Sequence, residues 1–215
     1  CKVVVPGRAF LRRLINLTIG IKSPNFLVRL TLQAKEDLQA WFLFLQQFNG
    51  KAMFLSDQWL PNHTLHLFTD AAGSLGYGAI FGQQWFYGSW PESWANENIT
   101  LKELYPIVAA VYTWGNTWQN KKIMIHTDNE ALVSIINSKT SREAKIMVLV
   151  RKLVIKSMLL NIQFRSVHVP GCANILADKL SRQQVAVFKS LAPWAREQPV
   201  QLPVHIQPQS WFPVC

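Results

Sequence analysis

The chain has 215 residues, 49% hydrophobic and 16% charged, enough to bury one good core with a smaller appendage, which excludes a disordered protein. Its 22 lysines and arginines against 12 acids give a net charge of +10, a field that draws phosphate backbones and makes nucleic acid the leading partner class. No apolar run approaches the ~20 residues of a membrane span, and Cys1, Cys172 and Cys215 lack disulfide or zinc spacing, so the chain reads as soluble and intracellular, cytoplasmic or nuclear, with no membrane partner.

Taken from the N-terminus, the chain begins at Cys1 and reads as a piece of a longer polypeptide. Residues 1–35 carry seven cations, among them Arg8, Arg12 and Arg13, and no acid, which favours a phosphate-contacting surface over a plain solvated edge. A helix is expected over 33–48, with Leu38, Trp41, Phe42, Leu45 and Phe48 at three- and four-residue spacing. Residues 64–70 (TLHLFTD) alternate into a strand, Ala71 to Ser74 turn it, and 76–81 and 85–90 complete an antiparallel meander. A helix over 100–114, a strand over 122–127, helices over 128–137 and 142–160, a strand over 162–169 and a helix over 173–182 follow. This β-β-β-α-β-α-α-β-α order implies an α/β fold with a mixed sheet and parallel crossovers. Five of the eleven prolines fall in the last 33 residues, so 183–215 reads as an extended linker or a loosely docked strap.

Four acids stand where these elements begin or end: Asp70, Glu103, Asp128 and Asp178, with His168 ten residues before the last. Each has a bland explanation. Asp70 suits a turn; Glu103 completes a Thr100-x-x-Glu103 capping box, although Pro106 disturbs that helix and points to a later start; Asp128 suits a helix cap; Asp178 suits an ion pair with Arg182. A lone histidine before Pro170-Gly171 is more often structural. In a fixed order across one α/β unit, the five together point instead to clustered carboxylates around divalent metal, as the cutting of a polyanion requires. Arg142, Lys145, Lys152 and Lys156 share one face of the 142–160 helix, either a stripe that tracks a nucleic-acid strand or an ordinary solvated face.

The motifs LFTDAAG, TLKEL, HTDN and above all HVPGCANILADKLSR resemble a ribonuclease H domain of the retroelement type over residues 63–182. The stretches PGRAFLRRLINL and PESWANENITLKELYPIV resemble the DIRS-like elements that encode a tyrosine recombinase, and 1–62 resembles the thumb or connection segment behind a polymerase core. The resemblance implies a five-stranded sheet of order 3-2-1-4-5, in which the first and fourth strands bring Asp70 and Asp128 together where the strand order reverses. It further implies hydrolysis of the RNA strand of RNA/DNA hybrids with two Mg²⁺ ions, replaceable by Mn²⁺, held by the four carboxylates and with His168 assisting proton transfer. Asn129 and the Gly73-Ser74 turn are candidate donors to ribose 2′-hydroxyls, and upstream reverse-transcriptase domains are the expected protein partner. A non-cutting nucleic-acid-binding or scaffold module, or an integrase- or resolvase-like DNA nuclease, remains the alternative. Oligomeric state is not legible.

Overall fold

The computed structural model describes residues 5–47, 59–60, 62–170 and 174–211. Strands β1 (Trp59–Leu60), β2 (Leu67–Ala71), β3 (Gly76–Phe81), β4 (Gln84–Ser89), β5 (Lys122–Thr127) and β6 (Gln163–His168) form two three-stranded sheets. The helices are α1 (Arg12–Leu17), α2 (Leu32–Gln47), α3 (Asn62–Leu65), α4 (Ile99–Trp114), α5 (Glu130–Ser138), α6 (Ala144–Leu159), α7 (Ile175–Ser181) and α8 (Val185–Leu191).

One sheet is the expected meander, with β2 and β4 antiparallel on either side of β3. Gly82 supports the two-residue turn between β3 and β4 at φ +56°, a left-handed conformation that glycine adopts without a Cβ clash. The other sheet is parallel, in the order β1-β5-β6. β5 shows the period of two: Ile123, Ile125 and Thr127 are buried, whereas Lys122, Met124 and His126 are half-buried. α4 is the central helix. Twelve of its sixteen residues are buried, so packing carries the helix on through Pro106, whose missing N–H would break a more exposed helix.

The single sheet of order 3-2-1-4-5 is not what forms. β1 pairs with β5 at Trp59↔Lys122 and Leu60↔Ile123, and α3 packs on β5 behind it. The chain leaves α3 through His66 at φ 55° and enters β2 only at Leu67, three residues later than alternation predicts. The edge of β5 is thus taken by β1 and α3, and β2 and β5 lie in separate sheets.

The N-terminal segment joins the same core. Phe10 meets Phe44 edge to face at 5.3 Å, and Gly7 lies under Trp41 so closely that a Cβ would come within 2.4 Å of the ring. On α2 the buried positions are Ala34, Asp37, Ala40 and Phe44, while Leu38, Phe42 and Leu45 are exposed. The expected apolar stripe therefore largely faces outward; Phe48 lies outside the described residues. Asp37, sealed at 1% exposure, stands 3.3 Å from both Arg13 and Arg151 and so ties α1 and α2 to α6.

The proline-rich tail does not hang free within the described residues. It forms α8, then runs across the meander, where Trp85 Nε1 donates to Arg196 O at 2.8 Å and Val200 N donates to Trp85 O at 2.7 Å. The Tyr105 hydroxyl donates to Ile206 O at 3.0 Å, and Trp211 packs on Tyr105 and Tyr112.

Candidate active site

An open cleft of about 730 Å³ lies where the ends of β2 and β5 approach α4 and α7. Asp70, Glu103, Asp128 and Asp178 all line it, one carboxylate from each of these four parts of the chain.

Asp70 belongs to β2 itself, paired with Gly78 of β3, so it is not the turn residue of the bland reading. Gly78 permits a close approach. A Cβ there would fall 2.3 Å from Leu180 Cβ and 2.9 Å from Ser181 N. With α7 pressed against β3 in this way, the fully buried Ser181 donates its hydroxyl to Asp70 Oδ2. Ser181 is a site residue that the acid pattern alone passes over, although it sits inside the Leu180-Ser181-Arg182 ending.

Two asparagines release the next two acids from capping. α4 starts at Ile99, not later than Thr100, and Asn98 caps it by accepting from Thr100 N at 2.7 Å. Glu103 is thereby left out of any capping box and faces the cleft. α5 starts at Glu130, and Asn129 caps it by accepting from Leu132 N at 3.0 Å, which leaves Asp128 exposed in the cleft instead of at the cap. Asn129 also donates to Thr100 Oγ1 at 3.3 Å, so its amide is committed to joining the two helix starts. Asp178 does form the expected ion pair, at 2.6 Å to Arg182 Nε, with Lys179 Nζ at 3.2 Å, while still lining the cleft.

The charges respond to this crowding. Burial first, then Asp70 and Asp128, push the Glu103 carboxyl up to about 8. Burial also raises Asp70, against the Ser181 hydrogen bond and with Asp178 and Asp128 adding to the rise. Asp178 lies below the usual range because its bonds and charge contacts with Arg182 and Lys179 together outweigh its burial. The carboxyls on the Asp70–Glu103 side of the cleft thus resist ionising, and a divalent cation there would favour their charged forms. An oxygen-only set of carboxylates suits a hard ion such as Mg²⁺. Among the described residues no three such groups stand close enough to make a ready metal cage.

Other expected site residues are placed as follows. Gly73 and Ser74 line the cleft. His168 ends β6 opposite Thr127 and is exposed; its neighbours Val169 and Pro170 line the cleft, as does His126, which the sequence reading did not single out. The basic face is largely engaged elsewhere: Lys145 pairs with Glu97, Lys152 lies over the Trp211 ring at 5.3 Å and Lys156 over Tyr112 at 5.6 Å, while Arg142 precedes α6. Arg13 is tied to Asp37 and the Gln33 carbonyl; Arg8 and Arg12 are exposed.

Together these features define an α/β domain with an acidic cleft built from non-adjacent parts of the chain. Residues 60–154 match the model of the RNase H-like domain found in reverse transcriptase. Over that stretch the chain is similar to RNase H-like domains of the reverse-transcriptase type. No curated protein matches the chain. Among solved structures, it is similar to RNase H1 from the halophilic archaeon Halobacterium salinarum NRC-1, at 16% identity and a TM-score of 0.39 over 56% of this chain and 95% of that one. It is also similar to the protease-reverse transcriptase of prototype foamy virus, at 12% identity and a TM-score of 0.34 over 74% of this chain and 21% of that one.

Proposed function

We propose that the chain hydrolyses the RNA strand of RNA/DNA hybrids as the ribonuclease H part of a DIRS-like retrotransposon reverse transcriptase. The observation that carries this reading is the convergence of Asp70, Glu103, Asp128 and Asp178 on one cleft, with both neighbouring helix caps supplied by asparagine so that the acids stay free.

The four carboxylates are the residues that would hold divalent metal, which when bound neutralises charge on the scissile phosphate and supplies an activated water. The chain's own residues set the stage for this. Ser181 fixes the rotamer of Asp70, so one ligand is oriented in advance. Glu103, kept protonated by burial near neutrality, gives up its proton when positive charge enters the cleft. Arg182 and Lys179 hold Asp178 at the rim, and release of that carboxylate towards the cleft accompanies substrate binding. His168, exposed beside the rim, is the proposed proton carrier. The Gly73-Ser74 turn, next to Asp70, faces the ribose strand and selects RNA through its 2′-hydroxyls. The exposed Arg8 and Arg12 add electrostatic grip on the hybrid, and upstream polymerase domains add more.

Incubation with RNA/DNA hybrid and with duplex DNA in Mg²⁺ tests this reading. RNA-strand cleavage confined to the hybrid is the expected result. Cleavage of duplex DNA at a comparable rate would favour a resolvase-like nuclease, and binding without cleavage would favour a scaffold.

A further inference from the structure

Lys102 is the most buried cation among the described residues, at 2% exposure, and it sits one residue before Glu103 on the central helix. Its ammonium donates to Gly73 O and, at 2.9 Å, to Ala95 O, and lies 5.9 Å from the centre of the Trp90 ring. Among the described residues no carboxylate forms an ion pair with it. Burying a charge against carbonyl dipoles and one ring is costly, and a methionine would fill much the same volume without that cost. The function of the donor is therefore to be sought in the carbonyls that it holds.

Those carbonyls belong to a turn that is clamped from three sides. Trp90 Nε1 donates to Ala72 O at 2.8 Å, Lys102 to Gly73 O, and Gln183 Nε2 to Leu75 O at 3.2 Å. Trp90 is itself stacked on Trp94 with ring centres 5.0 Å apart and planes within 4°. Three side chains from β4's end, α4 and the start of the tail thus fix three of the four carbonyls of an exposed turn that lines the cleft beside Asp70. With the carbonyls turned inward, the outer edge of the turn at Gly73 and Ser74 is left to meet a ligand.

We propose that Lys102 is a positioning residue for substrate selection: it locks the Ala72–Leu75 turn in the conformation that presents Gly73 and Ser74 to the ribose strand. This rests on the hybrid-cutting reading above. Lys102 touches neither the substrate nor the reacting atoms. Its effect passes through the turn, so it should appear in affinity and strand selectivity, not in the chemical step.

The test compares the parent with Lys102→Met, which keeps the volume and loses the donor, and Lys102→Arg, which keeps donors. Hydrogen exchange of the 70–77 peptide reads the turn directly; binding of hybrid and of duplex DNA, together with the kcat and KM for hybrid, reads the consequence. Lys102→Met should speed exchange in that peptide about tenfold and narrow the hybrid-over-DNA affinity ratio by a similar factor, about 1.4 kcal/mol. It should raise KM while kcat stays within about threefold, and Lys102→Arg should recover part of each change. Unaltered exchange in 70–77 would overturn the proposal, and so would faster exchange with an unaltered affinity ratio or equal loss for both duplexes. Should Lys102→Met fail to fold, Gln183→Leu removes an exposed clamp on the same turn and must weaken selectivity in the same direction, or the proposal falls. A parent that neither prefers nor cuts hybrid would reject the functional reading, while the exchange result would still decide whether Lys102 sets the turn.

Discussion

Ser181 and Glu103 carry the sharpest consequences of single side chains. Ser181 is fully buried and donates to Asp70, so Ser181→Ala strips a donor from a half-buried carboxylate and should cost about 1–3 kcal/mol in urea unfolding, with m unchanged. Glu103 ordinarily titrates near 4.5 and is pushed to about 8, so the metal-free folded protein holds a proton that the unfolded chain gives up between those values. A raised carboxyl stabilises most below its unfolded value, and that stabilisation is lost as pH rises through the folded one. The metal-free parent should therefore lose melting temperature between about pH 5 and about pH 9, and Glu103→Gln should lose distinctly less; equal slopes would contradict the assignment. Mg²⁺ added at the alkaline end should restore the parent but not the variant. At this scale the sequence displayed the four acids and their order. It did not display Ser181, because a serine in a helix becomes a site residue only once Gly78 has let that helix reach β3.

At the scale of the element, the two asparagine caps decide whether the acids are free. Thr100-x-x-Glu103 has the spacing of a capping box, yet Asn98 takes the cap, and Asp128 yields its cap to Asn129. Asn129→Ala should cost about 0.5–2 kcal/mol and displace the start of α5 together with Asp128, so activity should fall more than stability alone explains. Comparing cleavage per folded molecule with the melting curve checks this. Strands β2 to β6 were legible from alternation and from the Gly82 turn, because both are local signals, whereas the two-residue β1 was not. Which strand pairs with β5 was not, since that contest between β1 and β2 is settled by contacts far apart in sequence. On α2 the large apolar side chains point outward, whereas two alanines and an aspartate go inward with Phe44. Spacing alone gives no means of choosing between two such faces.

For the whole molecule, the cleft domain, the N-terminal helices and the tail share one core. Asp37 joins the two N-terminal helices to α6, and its burial raises the carboxyl against the pull of Arg151 and Arg13. Asp37→Ala would leave Arg151 buried without its acid and should cost about 3–5 kcal/mol in denaturant unfolding; a loss below about 1 kcal/mol would mean that the N-terminal helices are held by apolar contacts alone. The lysines of α6 follow the same logic. Their common face was legible, but two of them are stationed over Trp211 and Tyr112, so the proposed grip on nucleic acid is assigned to other cations. Among the described residues no helix is long and apolar enough to cross a membrane.

The central claim is that four carboxylates from separate elements act as one hydrolytic centre. Cleavage of an RNA/DNA hybrid in Mg²⁺ by the parent and by Asp128→Asn tests it most directly, because Asp128 is exposed and its replacement leaves the Asn129 cap in place. The account predicts RNA-strand cutting by the parent and a fall of at least about 100-fold in the variant at unchanged stability. An Asp128→Asn protein that cuts hybrid at the parental rate would contradict it.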